Sequence, residues 1–207
     1  QYETILCPDV PLPLHPIPFF GVIDKARAIT VGLNPSPTEF TTARLWPKIM
    51  SPCELTQRLV RYFQPSEVMP HHWFSDLQKS LETVRCPYYF AAAHVDASPW
   101  TTHAPRYLTT KRQRDLYNQL LADGIDNWLP KTFEFCKDTV KLVVILRSSD
   151  APGEAEMARL PRIKEIIRRS FGERCKVVVK TRDEFYQWTL DDQNKLIRFL
   201  DFENVFP

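Results

Sequence analysis

Four short apolar runs along the chain predict the strands of one sheet. They span residues 28–33, 88–93, 140–146 and 175–179, and the second leads into His94-Val95-Asp96. Runs of this length that end in polar or proline-containing turns are typical of buried strands. Between the runs, apolar residues recur at helical spacing and predict helices near residues 53–63, 74–84, 113–129, 160–171 and 191–201.

Strands that alternate with helices favour a three-layer α/β domain, in which helices cover both faces of a mostly parallel four-stranded sheet. The first 18 residues contain five prolines, so we expect an extended strap there. Residues 19–207 then form a single domain. Ligands of such sheets bind at the carboxyl ends of the strands. The functional rim is therefore expected in the loops 34–40, 94–102, 147–152 and 180–184.

The composition narrows the class of protein. A hydrophobic share of 43% with 12% aromatic residues is that of a folded domain rather than a disordered chain. No apolar run approaches the roughly 20 residues of a membrane span, so we expect no membrane contact. The five Cys are far apart, which predicts no metal or iron–sulfur site and favours a reducing compartment, the cytoplasm or a nucleus. No phosphate-binding glycine motif occurs, so no nucleotide cofactor is expected.

Charge is distributed unevenly, although the net charge is only +2. Residues 159–182 contain nine basic and two acidic side chains and carry +7. A second basic stretch contains Arg106, Lys111, Arg112 and Arg114. A surface that faces a polyanion would explain this asymmetry, and so would an ordinary solvated helix face.

The most informative local pattern is Gly32-Leu33-Asn34-Pro35-Ser36, at the end of the first predicted strand. Gly32 lets another group approach the backbone closely, and Pro35 keeps Asn34 out of the helical conformation. An Asn held at the carboxyl end of a strand can orient a water molecule or bind a ligand. The alternative is that the Asn-Pro pair only makes the turn.

This pattern resembles the first motif of the uracil-DNA glycosylase superfamily, and is closest to the Gly-hydrophobic-Asn-Pro-Gly form of the mismatch-specific and single-strand-selective glycosylases. The order of strands and helices extends the similarity over residues 19–200. The resemblance implies a monofunctional DNA glycosylase that needs no cofactor. Such an enzyme, which we expect to be a monomer, hydrolyses the N-glycosidic bond of a flipped pyrimidine and leaves an abasic site.

The resemblance also implies roles for the residues of the motif. Asn34 would position the attacking water, and Gly32, Pro35 and Ser36 would line the base pocket. Phe40 would stack on the extruded base, with core packing as the alternative for this side chain.

The chain departs from the family after the second and the fourth strand. His94 stands near the position of the base-reading Asn of the family, and Asp96 faces the same side two residues further on. A carboxylate only accepts hydrogen bonds, which suits a cytosine-type base with an exocyclic amine better than uracil. Asp96 could instead be the general base that activates water, or cap a turn. Lys180-Thr181-Arg182 replaces the His-Pro-Ser run of the family.

These departures leave uracil, a damaged base and a phage-modified cytosine-type base open as substrates, the last as part of antiviral defence. DNA is expected to contact basic and polar side chains of the rim and of the charged segment. They are Arg147, Ser148, Arg168, Arg169, Lys176, Lys180, Thr181 and Arg182. Two other functions remain open. One is non-catalytic nucleic-acid binding, and the other is hydrolysis of a free nucleoside or nucleotide, which would not need the charged segment.

Overall fold

Four parallel strands form the centre of the protein. The computed structural model describes residues 16–40, 51–64, 70–102, 107–147, 154–181, 184 and 189–200. The strands are β1 (Ala28–Gly32), β2 (Ala92–Asp96), β3 (Leu142–Arg147) and β4 (Lys176–Thr181). They lie in the order β2-β1-β3-β4, and each neighbouring pair is parallel. The predicted α/β fold is therefore confirmed, with an entirely parallel sheet.

Helices connect the strands and cover the sheet. In the described ranges they are α1 (Pro52–Arg61), α2 (His72–Thr83), α3 (Lys111–Asp123), α4 (Leu129–Glu134), α5 (Glu154–Phe171) and α6 (Leu190–Leu200). From β1 to β2 the chain steps towards one edge of the sheet. From β2 through β3 to β4 it steps towards the opposite edge. Right-handed crossovers therefore place α1 and α2 on one face and α3, α4 and α5 on the other. None of the described helices is long and apolar enough to cross a membrane.

The second strand begins later than the sequence predicts. Residues 88–91 form a turn, in which Tyr89 and Phe90 are exposed although they belong to the apolar run. All five residues of β2 are buried. His94 and Asp96 therefore belong to the strand itself rather than to a loop after it. This difference matters because a strand fixes the direction of a side chain more firmly than a loop does.

One long helical run crosses the second face of the sheet. The helices α3 and α4 are joined by a π-helical segment, Gly124–Trp128, which widens the helix locally. Gly124 packs against the backbone of Ala97 and Ser98, where a Cβ atom would have no room. The run extends from Lys111 to Glu134, beyond the predicted bounds, and it anchors the loop that follows β2.

Of the predicted strap, the structure describes only residues 16–18. Ile17 is fully buried, and its backbone N–H donates to the carbonyl of Pro99 at 2.7 Å. The end of this segment thus packs on the loop that follows β2. Residues 1–15 lie outside the described residues.

Candidate functional site

The loops after β1 and β2 are fastened to each other at the carboxyl end of the sheet. Three backbone hydrogen bonds join them, from Ala97 N to Gly32 O (3.0 Å), from Ser98 N to Leu33 O (2.8 Å) and from Thr102 N to Pro35 O (3.3 Å). Because the two strands continue to pair past their ends, the side chains at this edge are held in fixed positions. This is the edge at which parallel sheets bind ligands.

A cavity of about 290 Å³ opens at this edge. It is lined by Phe20, Gly32, Leu33, Asn34, Pro35, Ser36, Glu39, His71, Trp73, Phe74, His94 and Asp96. The structure therefore brings together six of the seven residues predicted for catalysis and for the base pocket. The volume of the cavity is at the lower end of the range for small-molecule sites, which suits a single heterocycle.

The Asn34 side chain is held in one orientation by its neighbours. Its Nδ2 atom donates to the carbonyl of Thr102 at 2.8 Å and to that of Pro35 at 3.3 Å. The hydroxyl of Tyr117, from α3, donates to Asn34 Oδ1 at 3.2 Å. Both amide hydrogens are thus used, whereas the oxygen can accept one further hydrogen bond. Asn34 can therefore present a fixed acceptor to a molecule in the cavity.

Gly32 is the point at which β1 makes room for the polar side chains of β2. A Cβ atom on Gly32 would lie 2.5 Å from Asp96 Oδ1 and 3.1 Å from His94 Nε2. The predicted close approach to this glycine is therefore made by the protein's own carboxylate and imidazole. His94 and Asp96 lie on the same side of the sheet, as predicted from their spacing.

His94 and Asp96 belong to a chain of buried polar groups. His94 Nε2 lies 3.4 Å from Asp96 Oδ1, and His94 Nδ1 is hydrogen-bonded to Thr30 Oγ1 at 2.8 Å. Thr30 Oγ1 is in turn hydrogen-bonded to the hydroxyl of Tyr88 at 2.5 Å. A carboxylate beside Nε2 favours the proton on that nitrogen, so Nδ1 accepts from Thr30. The four groups thus fix both the tautomer and the orientation of the imidazole.

A second polar pair, Glu39 and His71, lines the same cavity. Glu39 is 4% exposed, and its Oε2 accepts a short hydrogen bond from the hydroxyl of Tyr62. Its Oε1 lies 3.9 Å from Nδ1 of His71, the N-cap residue of α2. Within the described residues, no three His, Cys, Asp or Glu side chains are grouped closely enough to hold a metal ion. The cavity thus has two separate polar pairs.

Aromatic rings form the remaining walls of the cavity. Trp73 and Phe74 each lie with their ring centroids 5.1 Å from that of His94, in edge-on contacts. Phe40 lies behind the cavity, 2% exposed, with its ring stacked on Phe20 at 6.4 Å. The structure thus places Phe40 in the core, in agreement with the alternative of core packing. Phe20, Trp73 and Phe74 form the aromatic wall of the cavity instead.

Only part of the predicted DNA-binding set lies at this edge of the sheet. Lys180 and Thr181 end β4, and Arg147 ends β3, so all three stand at the carboxyl end together with the cavity. Ser148 and Arg182 lie outside the described residues.

The other predicted DNA contacts lie at the opposite end of the sheet. Arg168 and Arg169 are in the last turn of α5, which runs away from the carboxyl edge, and Lys176 begins β4. The strand register places Lys176 level with Ala28, four residues before Gly32. At about 3.3 Å per residue, this is about 13 Å along the strand from the cavity. Because the connected α5 and β4 run antiparallel, the last turn of α5 and the start of β4 lie together at the end of the sheet away from the cavity mouth.

Several cations of the charged segment are paired within the protein. Arg162 donates to Asp126 and to Glu165, each at 2.9 Å, and Arg169 also contacts Glu165. The hydrogen bond from Arg162 and the charge of Arg169 lower the pKa of Glu165. Ion pairs of this kind are typical of a solvated helix face, which was the alternative to a polyanion-binding surface for residues 159–182.

The second basic stretch lies beside the cavity instead. Lys111 and Arg112 are exposed in the first turn of α3, and Tyr117 of the same helix contacts Asn34. At about 1.5 Å per residue, Arg112 lies about 8 Å along the helix from Tyr117. Arg106 is outside the described residues. Lys111 and Arg112 of the short basic stretch therefore lie at the cavity end of the sheet, together with Lys180 from the end of the long one.

Sequence reasoning missed the second wall and the partners of His94. Glu39 follows the glycine motif by only a few residues, and Pro37–Phe40 form a 3-10 turn that directs it inward. Its place five residues after Asn34, within the predicted functional loop 34–40, was a signal for it. Tyr88 and His71 had none, because their approach depends on the packing of α2 and the turn before β2.

A comparison with protein-family models and with curated proteins finds no match for this chain. The resemblance to glycosylases therefore rests on the Gly32–Ser36 motif and the order of the elements alone, and it stays a prediction.

Proposed function

We propose that the protein is a monofunctional DNA glycosylase of the uracil-DNA glycosylase type, which excises a uracil or a cytosine-derived base. The observation that carries the proposal is that Asn34, after β1, and Asp96, at the end of β2, line one cavity with aromatic walls. A single chain supplies all of these groups, which is consistent with action as a monomer.

Base binding would follow from the shape of the cavity. A base cannot react inside the duplex, so it must be extruded at a cost of a few kcal/mol. Stacking against Phe20, Trp73 or Phe74 compensates for part of this cost, since stacking on an aromatic ring contributes about 1–3 kcal/mol per base. The cavity accepts one such ring at the carboxyl edge.

The fixed amide of Asn34 supports the hydrolytic step. Its Oδ1 already accepts from Tyr117 and can accept one hydrogen from a water molecule, which turns a lone pair of that water towards the sugar. As the N-glycosidic bond breaks, its electron pair leaves with the base and the sugar becomes electron-poor. This water adds to the anomeric carbon, and the proton that it loses neutralises the departing base by way of Asp96 or the solvent. Positioning of this kind contributes to the rate because the acceptor does not have to reorganise during the reaction.

Asp96 provides the second contribution. Its carboxylate can take the proton of the attacking water, or it can stabilise the positive charge that develops on the sugar. His94 holds Asp96 from one side, Thr30 is hydrogen-bonded to His94, and Tyr88 is hydrogen-bonded to Thr30 in turn. The phosphates would contact Lys111, Arg112 and Lys180 around the cavity mouth.

The proposal is tested with single- and double-stranded oligonucleotides that contain one uracil, damaged cytosine or phage-type modified cytosine. We expect abasic sites with at least one of these bases, scored by strand cleavage after alkali. Asp96→Asn separates two roles of Asp96 in the same assay. It depresses excision of every base alike if Asp96 activates water, and shifts the cytosine-to-uracil rate ratio if Asp96 reads the base. Binding without any abasic product would contradict the proposal and favour the non-catalytic alternative.

A second candidate is hydrolysis of free nucleosides, and one observation favours it. The basic end of α5 and the start of β4 lie away from the cavity, so the +7 segment does not argue for a polymeric substrate. Incubation with free deoxynucleosides, followed by chromatography of the released base, distinguishes the two. A rate for free nucleosides that equals the rate for oligonucleotides would favour the second candidate.

A further inference from the structure

We propose that Glu39 and His71 form a base-reading wall that selects an amino-substituted nucleobase. This inference rests on the proposed function, since it names the class of base that the same cavity accepts. It does not depend on which residue activates the water.

Glu39 is directed into the cavity by rigid local structure. It lies in the 3-10 turn Pro37–Phe40, and its backbone N–H donates to the carbonyl of Ser36 at 3.1 Å. Its side chain is 5% exposed and accepts from the hydroxyl of Tyr62. A carboxylate has about four acceptor positions and no donor when ionised. Glu39 can therefore accept further hydrogen bonds from a ligand but cannot donate one.

His71 provides the complementary group. Its Nδ1 accepts from the backbone N–H of Trp73 at 3.3 Å, so a neutral imidazole carries its proton on Nε2. The side chain is 25% exposed and lines the cavity. One wall thus presents an acceptor, Glu39, beside a donor, His71.

Asp96 lines the same cavity and adds a second acceptor, and it is 6% exposed. Two buried carboxylates and one N–H donor match a base with amine hydrogens and one carbonyl. Cytosine- and guanine-type bases carry both groups. Uracil and thymine present one N–H between two carbonyls, so a carboxylate facing either carbonyl would be repelled. The amino group is the shared chemistry of the ligands that this cavity favours.

The test is a binding titration of the full chain, followed by NMR, with deoxycytidine, deoxyguanosine, deoxyadenosine, deoxyuridine and thymidine. We expect at least one amine-bearing nucleoside to bind about 10-fold more tightly than deoxyuridine or thymidine, which is at the low end for one base contact. Deoxycytidine and deoxyguanosine distinguish the two sources of the amino-carbonyl pair, and deoxyadenosine tests whether the carbonyl is needed.

Variants locate the preference. Glu39→Gln keeps the acceptor for Tyr62 but adds a donor, so the preference for amines should fall about 10-fold. His71→Phe should weaken binding of carbonyl-bearing bases and leave deoxyadenosine unchanged. Glu173→Gln, an exposed position in the turn Gly172–Arg174, is the matched control and should behave like the wild type.

The wild-type protein alone can overturn the inference, whatever the variants do. Equal or tighter binding of deoxyuridine and thymidine would overturn it, as would no measurable binding of any amine-bearing nucleoside. Abasic sites at uracil would show in that case that the proposed function stands. An amine preference without any base release would support the base-reading wall and contradict the glycosylase.

Discussion

The two ends of the sheet bury different chemical groups. At the carboxyl end, Asp96 and Glu39 are buried beside imidazoles and hydroxyls that hydrogen-bond to them or lie close by. At the amino end lie the thiols of Cys86, Cys136 and Cys175, whose pKa is raised to about 12, mainly by burial. The amino end thus keeps its buried thiols neutral, whereas the carboxyl end supplies hydrogen-bonding partners for its buried polar groups. Only the polar groups of the carboxyl end are therefore suited to catalysis.

The same contrast applies to the basic surfaces. The cations near the amino end are numerous, but several are paired, such as Arg169 with Glu165. The cations at the cavity mouth are few, and Lys111 and Arg112 stand in the first turn of α3 without an acidic residue in that turn. Positive charge in a sequence therefore predicts a binding surface only once its place in the fold is known.

The largest effect that tests this comparison is expected at Asn34. Asn34→Ala removes the fixed acceptor of the carboxyl end, so excision should fall at least about 100-fold while DNA affinity changes little. Single-turnover rates and anisotropy titrations measure the two quantities. Tyr117→Phe, which removes only one hydrogen bond to Asn34, is the graded control and should give a smaller loss. Wild-type rates for Asn34→Ala would reduce Asn34 to a turn residue.

A pair of glycine substitutions compares the two ends directly. Gly32→Ala should displace Asp96 and His94 and lower excision about 10- to 100-fold, since small misplacements of catalytic groups are costly. Gly172→Ala, at the amino end, meets no atom within 4 Å but has a φ of +65°. It should cost about 1–2 kcal/mol of stability and leave the rate per folded molecule unchanged. Equal rate losses in both variants would remove the distinction between the ends.

The contrast between the ends also shows what the sequence could predict. Apolar periodicity located β1, β3, β4, α1, α2 and α6 to within two residues at each end, because each of these elements buries a continuous apolar face. It placed the start of β2 four residues early and the start of α5 six residues late, and it did not separate α4 from α3. Asn34 and Asp96 were recognisable because they directly follow or end a strand. Glu39 lies in a turn, His71 caps a helix, and Tyr88 lies in a turn that the sequence predicts as the start of a strand. The contacts of these side chains therefore depend on tertiary packing. The burial of Tyr88 beside exposed Tyr89 has no signature in the apolar pattern.

The buried polar chain gives a third test. Thr30→Val keeps the volume but removes the hydroxyl that holds His94 Nδ1, so excision should fall about 10-fold. The ¹⁵N shifts of the imidazole should move at the same time from a single tautomer towards a mixture. A rate loss with unchanged ¹⁵N shifts would indicate a packing defect. Val31→Thr, on the same strand, is unsuitable as a control because it buries a new hydroxyl. Thr30→Ser, which keeps the hydroxyl, is the suitable one.

The basic surfaces are compared by the salt dependence of DNA binding. Lys111→Gln with Arg112→Gln should lower the slope of log affinity against log salt by about 0.9 for each duplex phosphate that the variant no longer neutralises. Arg168→Gln with Arg169→Gln removes the same charge from the other end and should leave the slope unchanged. The reverse result would place DNA on the α5 side and disconnect it from the cavity.

The last effect concerns the stability of the fold rather than the site, and it comes from the thiols of the amino end. Their raised pKa means that the unfolded chain releases these protons near pH 9, whereas the folded protein keeps them until about pH 12. Stability present below pH 9 should therefore fall as the pH rises, by at most about 1.4 kcal/mol per pH unit and thiol. Urea unfolding at several pH values measures this slope, and Cys136→Ala should reduce it by one thiol's share. A slope unaffected by this change would contradict the assignment.

Because of the π-helical segment before α4, the geometry of the cavity depends on the number of residues in this part of the chain as well as on their identity. Each residue turns an α-helix by about 100°, so deleting one exposed residue such as Asn127 would straighten the run and rotate α3 by that angle against α4. Tyr117 would then leave Asn34, although no residue of the cavity had been replaced. Among natural variants of this chain, single-residue insertions and deletions between 124 and 128 should therefore be rarer than substitutions there.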